Sequence, residues 1–285
     1  MRFEAKANRS LKHDHEIVIV SSLITAIFLL INIYPIIFVL ITSIKKTEEL
    51  YMNIWSFPKT IELGNYSFAW ISGHLKDYFS NSLFVVFLTV FFILLLGSLA
   101  GYALARLKVP FPKAIMLLIL STMLLPSEAV LMPMYLMVSK IKMAGTYVSL
   151  IVPYIGWGLP LTIYVYRNFF KSLPNELLET GRIDGCTEVK VFLKVAAPLM
   201  IPATAANAVF SFTGWWGELI WSSVSLSTTS MKTLPTGILT FMGQNGTNWG
   251  PYSAAIIITM IPLIVLFTFS QKYFIEGVTV GAVKG

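Results

Sequence analysis

Residues 171–194, KSLPNELLETGRIDGCTEVKVFLK, form a charge-rich island in an otherwise apolar chain. Eight of its 24 positions are charged, whereas charged residues make up only 12% of the whole chain and hydrophobic residues make up 56%. A soluble domain normally carries about 25% charged residues, so the composition indicates an integral membrane protein. Because charges are costly in hydrocarbon, we expect the island to be a water-facing loop between membrane spans.

Long runs without Asp, Glu, Lys or Arg lie on both sides of the island and predict the membrane helices. A span needs about 20 apolar residues. The pattern predicts an all-α integral membrane protein with six transmembrane helices, at about residues 17–43, 78–106, 113–139, 147–170, 199–222 and 252–275. One membrane domain then covers 17–275, between an N-terminal tail at 1–16 and a C-terminal tail at 276–285.

The distribution of Lys and Arg predicts the orientation, because these residues are enriched in cytoplasmic loops. With the N-terminus inside, 14 of the 21 Lys and Arg residues face the cytoplasm and 7 face outward. Both termini and the loop at 171–198 are therefore expected in the cytoplasm. This bias also accounts for the net charge of +7, so we expect the lipid bilayer rather than nucleic acid as the partner of the basic residues.

Small residues in the second span predict a close helix contact. Gly97 and Gly101 form a Gly-x-x-x-Gly pattern, which gives a flat strip that another helix can approach closely. The contact lies either within this subunit, which is the more common case, or between subunits.

A polar path through the membrane is indicated by Glu128, near the middle of the third predicted span. A carboxylate at this depth either lines a wet cavity and binds a hydroxyl-bearing substrate, or secures a kink at Pro126 and Pro133 through its own hydrogen bonds. Asn207 could add a hydrogen bond along the same path.

Aromatic residues cluster near the outer ends of the spans. They form either a belt at the membrane interface or a path in which aromatic faces stack on sugar rings. The group comprises Tyr147, Tyr154, Trp157, Trp215, Trp216, Trp221, Trp249 and Tyr252.

The sequence lacks the motifs that would indicate several kinds of chemical activity. The chain has no Gly-x-x-x-x-Gly-Lys-Ser/Thr motif for nucleotide phosphates, no His/Cys constellation for a metal and no Gly-x-Ser-x-Gly nucleophile motif. We therefore expect no enzyme activity and no cofactor in this chain. Active transport would need an energy source on another subunit.

The island itself predicts two short amphipathic helices. Pro174 and Asn175 start the first helix, and the chain is expected to break at Gly181 and again at Asp184-Gly185. Asp184 is a suitable N-cap for the second helix, in which Glu188 and Phe192 follow. A compact knob of this kind suits docking to a soluble partner.

This stretch resembles the EAA loop of permease subunits in binding-protein-dependent ABC importers. That pattern is roughly E-A-A, three residues, G, nine residues, I-x-L-P, and its spacing is intact in Glu179-Thr180-Gly181, Gly185 and Val195-Ala196-Ala197-Pro198. The longer form is similar to the carbohydrate branch, of the maltose-permease type. Further similarity lies in Phe210-Ser211-Phe212, Trp216-Gly217-Glu218, Trp249-Gly250 and the C-terminal stretch from Glu276 to Gly285.

The resemblance implies a permease subunit that forms half of the path of a sugar importer in a bacterial-type plasma (inner) membrane. Its partners would be a second, different permease, two ABC ATPase subunits that hold the ATP and Mg, and an extracytoplasmic sugar-binding protein. The implied coupling residues are Glu179, Arg182, Asp184, Gly185, Glu188 and Phe192. The implied substrate path comprises Glu128, Tyr154, Trp157, Asn207, Trp216 and Glu218, and the implied contact with the binding protein comprises Asn245, Asn248 and Trp249.

Two alternatives stay open at the level of sequence. An ion-coupled secondary carrier would need no ATPase, but Glu128 is the only clearly ionisable group at mid-membrane, and the cytoplasmic loop would have no role. An ABC permease for another solute, such as a glycerol phosphate, would favour basic residues along the path, and the uncharged runs that form the spans contain none.

Overall fold

The computed structural model describes residues 2–183, 185–226, 230–243 and 246–282, and it describes side chains from 17 to 271 within these ranges. Most of the described residues are helical, and the described strands form one two-stranded antiparallel hairpin. The helices are α1 (Arg2–Ser43), α2 (Thr47–Met52), α3 (Gly64–Ser67), α4 (Leu75–Arg106), α5 (Pro112–Ser121), α6 (Ser127–Lys140), α7 (Val148–Ser172), α8 (Asn175–Ile183), α9 (Glu188–Val191), α10 (Ala197–Leu199), α11 (Ile201–Trp216), α12 (Ile220–Ser225), α13 (Leu234–Ile238) and α14 (Trp249–Ala282), and the strands are β1 (Met242–Gly243) and β2 (Gly246–Thr247).

Within the described residues, four helices are long and apolar enough to cross a membrane. They are the apolar part of α1 from Ile17, α4, α7 and the apolar part of α14 up to Gln271. The number of candidate spans rises to six if each of two bent helix pairs forms one span. Helix α1 begins at Arg2, so most of the predicted N-terminal tail is helical.

The third predicted span is not one continuous helix. Residues Pro112–Leu124 and Ser127–Lys140 form two segments bent by 96°. The break lies at Leu125 and Pro126, whose ψ angles of 124° and 129° are extended. Proline disfavours the helical conformation of the residue before it, which explains why the helix stops here. Glu128 therefore lies in the first turn of α6 rather than in the middle of a straight helix.

The fifth predicted span is also shorter and more bent than expected. Helix α11 ends at Trp216, and residues Gly217–Leu219 separate it from α12. The segments Glu188–Leu199 and Ile201–Trp216 are bent by 75°. Pro198 and Pro202 lie on the two sides of this bend, where their missing backbone donors interrupt the helical hydrogen bonds.

Helices α4 and α7 pack very closely in the larger compact unit, which comprises Trp70–Thr240 and the described residues from Thr259 onward. A Cβ atom at Gly97 would lie 2.6 Å from Cγ2 of Thr162, and one at Gly101 would lie 2.7 Å from Cβ of Tyr166. Both distances are too short for real side chains. The Gly-x-x-x-Gly strip is therefore confirmed as a packing surface within this chain.

The smaller unit comprises the described residues up to Ala69 together with Phe241–Ile258. At its centre Lys45 is fully buried, and its Nζ donates to the carbonyl oxygens of Asn53 and Ser56 at 3.2 and 2.6 Å. The amide of Asn65 donates to the carbonyl of Lys45 at 2.8 Å. These bonds satisfy a buried charge that would otherwise be costly, and they fix the turn after α1.

We expect Gly101→Ala to destabilise the chain, because the added methyl group would overlap Tyr166 and push α4 away from α7. Overpacking of this kind costs roughly 1–3 kcal/mol, which thermal unfolding in mild detergent would detect as a lower midpoint. Gly214→Ala is the matched control, since a Cβ atom there meets nothing within 4 Å. Equal midpoints for the two variants would contradict the close packing of α4 and α7.

Candidate functional site

The charge-rich loop folds into a compact knob on the ends of α4 and α7. Leu178 of α8 and Val191 and Phe192 of the α9 segment are buried in one apolar cluster with Tyr102 of α4 and Phe170 of α7. The ring of Tyr102 makes edge contacts with Phe170 and Phe192, at centroid separations of 5.3 and 5.2 Å. Aromatic packing of this kind holds the knob in one orientation on the two helices.

Glu188 joins three elements at the rim of this cluster. Its Oε1 accepts a hydrogen bond from Nε of Arg182 at 2.7 Å, and its Oε2 accepts one from the hydroxyl of Tyr102 at 3.0 Å. The hydrogen bond to the Glu188 carboxylate raises the pKa of Arg182 above its ordinary value. Glu188 thus connects α8, α9 and α4 through a single side chain.

Arg106, at the end of α4, clamps the junction between α7 and α8. Its Nε donates to the carbonyl oxygen of Phe170 at 2.8 Å, and its terminal nitrogens bond the carbonyl of Leu173 and the side-chain oxygen of Asn175. The last carbonyls of a helix lack partners within it, and a cation there is favourable. Arg106 therefore fixes both the end of α7 and the start of α8.

Gly185 ends the first helix of the knob in a left-handed conformation with φ of +77°. Its N–H bonds the carbonyl of Arg182 at 3.1 Å, and the N–H of Cys186 bonds the carbonyl of Gly181 at 3.0 Å. These two bonds form a Schellman motif, which favours glycine at this position. The predicted break at Gly181 is wrong, because α8 continues through it, and α9 is preceded by Thr187 rather than by Asp184.

The predicted coupling residues divide into exposed and buried groups. Glu179 and Gly185 are exposed, Arg182 and Glu188 are exposed but paired with each other, and Phe192 is buried in the apolar cluster. Asp184 lies outside the described residues. The outer surface of the knob also presents large apolar side chains, at Leu177, Ile183, Val189 and Leu193.

A second site is an aromatic cavity of about 200 Å³ in the larger unit. The ring of Trp215 stacks on Tyr154 at a centroid distance of 4.6 Å, and Trp157 meets Trp221 edge-on at 5.9 Å. The indole N–H of Trp221 is bonded to the carbonyl of Ser149 at 2.9 Å, which fixes that ring. The cavity is lined by Ser127, Glu128, Leu131, Trp157, Trp215, Glu218, Ile220 and Trp221.

Glu218 organises one wall of this cavity. Its carboxylate accepts hydrogen bonds from the hydroxyl of Tyr154 at 2.5 Å and from the backbone N–H groups of Trp221 and Ser222 at 2.7 and 3.0 Å. The two N–H groups belong to the first turn of α12, where an acceptor is needed and a negative charge is favourable. Glu218 thereby ties α12 and Trp221 to α7.

Glu128 lines the cavity from a different element, the first turn of α6. It is exposed and accepts a hydrogen bond from the hydroxyl of Ser127 at 3.3 Å. Ser127 and Trp157 also line a neighbouring cavity of about 560 Å³, which extends along α5 and α7 past Gly156 and Pro160. The two cavities share Ser127 and Trp157 as lining residues, and hydroxyl, carboxylate and aromatic groups lie on their walls.

The structure brings together four of the six predicted path residues. Glu128, Trp157 and Glu218 line the cavity, and Tyr154 stacks on Trp215, which also lines it. Asn207 and Trp216 do not reach it. Asn207 bonds the carbonyl of Ala203 on its own helix, and the indole N–H of Trp216 bonds the carbonyl of Thr259.

Trp215 and Trp221 line the cavity, although the sequence indicated only that they belong to the outer aromatic group. Their signal was the density of Trp in 215–221, but the pattern could not tell which rings share a cavity. Tyr102 and Arg106 likewise reach the knob without a motif of their own.

The residues predicted to contact a binding protein lie in the smaller unit, beside the β1–β2 hairpin. Asn248 accepts a hydrogen bond from the hydroxyl of Thr47 at 2.6 Å, and Trp249 packs edge-on against Tyr252 at 5.8 Å. Trp249 keeps 38% of its surface exposed. Asn245 lies outside the described residues.

Comparison with known proteins identifies the family. Residues 93–280 match the family described as binding-protein-dependent transport system inner membrane component. The chain is 33% identical over 259 residues to the arabinooligosaccharides transport system permease protein AraQ of Halalkalibacterium halodurans, covering 90% of this chain and 92% of that protein. It is 34% identical over 265 residues to the melibiose/raffinose/stachyose import permease protein MelC of Bacillus subtilis, covering 93% of this chain and 96% of that protein.

The fold has a solved counterpart. A bacterial ABC transporter involved in the import of the acidic polysaccharide alginate contains a chain that superposes with a TM-score of 0.80 at 21% identity, covering 92% of this chain and 97% of that one. Fold, loop and sequence agree, and the chain belongs to the inner-membrane permease components of binding-protein-dependent ABC importers.

Proposed function

We propose that this chain is the permease subunit of an ATP-driven importer for a carbohydrate, most simply an oligosaccharide, and that it forms half of the translocation path. The observation that carries the proposal is the aromatic cavity built on α7, α11 and α12, in a chain whose relatives carry names of oligosaccharide permeases. Indole faces suit the apolar faces of sugar rings. The hydroxyl of Ser127 and the carboxylate of Glu128 are suitable hydrogen-bond partners for sugar hydroxyls.

In the proposed topology the bent pair Pro112–Leu124 and Ser127–Lys140 counts as one span, and Ile201–Trp216 alone supplies the fifth span, because Glu188–Leu199 belongs to the loop that forms the knob. Six spans then carry the chain across the bilayer, with both termini and the knob in the cytoplasm. The excess of Lys and Arg on that side supports this orientation, with 14 of 21 on the inside. The β1–β2 hairpin and Trp249 would then lie on the outer side.

The importer needs further subunits besides this chain. Two ABC ATPase subunits supply ATP hydrolysis with their own nucleotide and Mg, and a second permease completes the path. The apolar side chains Leu177, Ile183, Val189 and Leu193 on the outer surface of the knob, with charges among them, suit a docking surface for an ATPase. A sugar-binding protein would dock outside, where the hairpin and Trp249 are available.

Coupling proceeds through the contacts of the knob with α4 and α7. A displacement of the docked knob pulls on Tyr102 through Glu188 and on Arg106 through Asn175 and the carbonyls at the end of α7. Phe192 contributes from inside the apolar cluster, as a packing contact rather than as a docking contact. Because packed helices move as rigid bodies, the displacement reaches the far end of α7, which carries Tyr154 and Trp157.

Reconstitution of the intact importer tests the proposed function. Copurification of an ABC ATPase in mild detergent, and ATP hydrolysis stimulated by the sugar-loaded binding protein, are the expected results. Gly185→Val should lower sugar uptake about tenfold, because a β-branched residue is strained at positive φ. Gly181→Ala is the matched control, since its Cβ atom makes ordinary contact with Val191 and Val195 at 3.4 and 3.6 Å.

A transporter that takes up sugar from liposomes without any ATPase subunit would contradict this function. So would a Gly185→Val variant that inserts normally and transports at the rate of Gly181→Ala.

Tyr102→Phe tests the connection between the knob and α4. The substitution keeps the aromatic packing and removes the hydrogen bond to Glu188, a net loss of about 1 kcal/mol. We expect two- to fivefold less sugar transported per ATP hydrolysed, measured together in proteoliposomes. Tyr164→Phe, on the exposed side of α7, is the control, because its hydroxyl has no hydrogen bond within the described part of the chain. An unchanged ratio in Tyr102→Phe would show that the hydrogen bond between Tyr102 and Glu188 does not take part in coupling.

A further inference from the structure

We infer that the aromatic cavity excludes anionic sugars, so that the substrate class of this importer is the neutral oligosaccharides. The inference rests on the proposed function, since it assigns a selectivity to the cavity through which the sugar would pass. The residues that carry it are Glu128 and Glu218, which line the same recess from two different elements.

The two carboxylates are held differently. Glu218 accepts three hydrogen bonds, from Tyr154, Trp221 and Ser222, and these donors hold it in place as a fixed part of the wall. Glu128 lines the cavity and accepts one hydrogen bond, from the hydroxyl of Ser127 at 3.3 Å, so most of its acceptor capacity is unused within the described residues. Glu128 is therefore the group that a passing solute meets.

The remaining walls supply no positive charge. The uncharged indole rings of Trp157, Trp215 and Trp221 line the cavity beside the two carboxylates. Among the described residues that line the cavity and its larger neighbour, none is Lys, Arg or His. A sugar carboxylate or sulfonate would find no Arg or Lys to pair with, which is how proteins normally recognise such groups.

This selectivity belongs to the side chains and not to the fold. The structural neighbour with a TM-score of 0.80 serves the import of an acidic polysaccharide, so the same backbone architecture is compatible with an anionic substrate. In this chain, the carboxylates of Glu128 and Glu218 repel an anionic substrate from the cavity. Repulsion between like charges within several ångströms in a partly desolvated recess reaches tenfold in rate or more.

The test compares a neutral sugar with its own acid in the complete importer. The probes are arabinobiose and melibiose beside arabinobionic and melibionic acid, in which the C1 aldehyde has been oxidised to a carboxylate. Each probe is supplied at a concentration well above its Kd for the binding protein. The binding protein is then saturated with every probe, and differences in rate arise at the permease. We expect acid transport at about one tenth of the neutral rate or less, and Glu128→Gln to raise the acid-to-neutral ratio about fivefold.

Matched variants separate charge from structure. Glu128→Asp keeps the charge and should keep the low ratio, and Glu128→Ala serves as a second charge-free variant. Asp77→Asn removes an exposed carboxylate at the start of α4, outside the cavity, and should leave the ratio unchanged. Equal acid and neutral rates in the natural chain, or a ratio that Glu128→Gln does not change, would overturn the inference while leaving the sugar importer intact. Failure to transport either neutral sugar would overturn the proposed function itself.

If the binding protein does not bind the acids, quenching of tryptophan fluorescence tests the same inference. Iodide is an anionic quencher and acrylamide a neutral one, and three of the seven Trp residues line the cavity. Glu128→Gln should increase quenching by iodide and leave quenching by acrylamide unchanged, whereas Asp77→Asn should change neither. Equal iodide quenching in the natural chain and in Glu128→Gln would contradict a field that repels anions from this recess.

Discussion

The close approach of α4 and α7 is the constraint on which the rest of the larger unit depends. It is possible because Gly97 and Gly101 have no side chains where Thr162 and Tyr166 press against them. In a bilayer the hydrophobic effect does not drive helices together, so close backbone packing has a larger share in holding them. With this pair fixed, the remaining helices have a rigid surface on which to pack.

The two candidate sites lie near opposite ends of this pair. Tyr154 and Tyr166 on α7 are separated by about 18 Å of helix axis, at 1.5 Å per residue. The first supports the aromatic cavity, and the second packs in the cluster that holds the knob. Helix α7 connects the two sites, with Pro160 between Tyr154 and Tyr166. The breaks at Pro126 and Gly217 lie beside the elements that complete the cavity, before α6 and before α12.

Local sequence was sufficient for features whose physical cause is local. The knob could be located because charge cannot stay in hydrocarbon, and its end at Gly185 because only glycine adopts positive φ easily. The sequence wrongly predicts a break at Gly181, because a glycine inside a helix is only less favourable than other residues and does not end it, and Gly181 is buried within α8. The sequence predicts a continuous third span because its hydropathy is continuous, while the bend depends on the extended ψ angles of Leu125 and Pro126.

Sequence alone was enough to identify a membrane protein, its long apolar helices and its family. These follow from composition, spacing and hydropathy, which are summed along the chain. The tertiary structure alone decided which of two adjacent indoles, Trp215 and Trp216, faces the cavity, because neighbours on a helix point about 100° apart and only packing selects the face. It also decided that Glu218 bonds Tyr154, and that Tyr102 and Arg106 hold the knob, since these contacts join residues 64 to 86 positions apart in the chain.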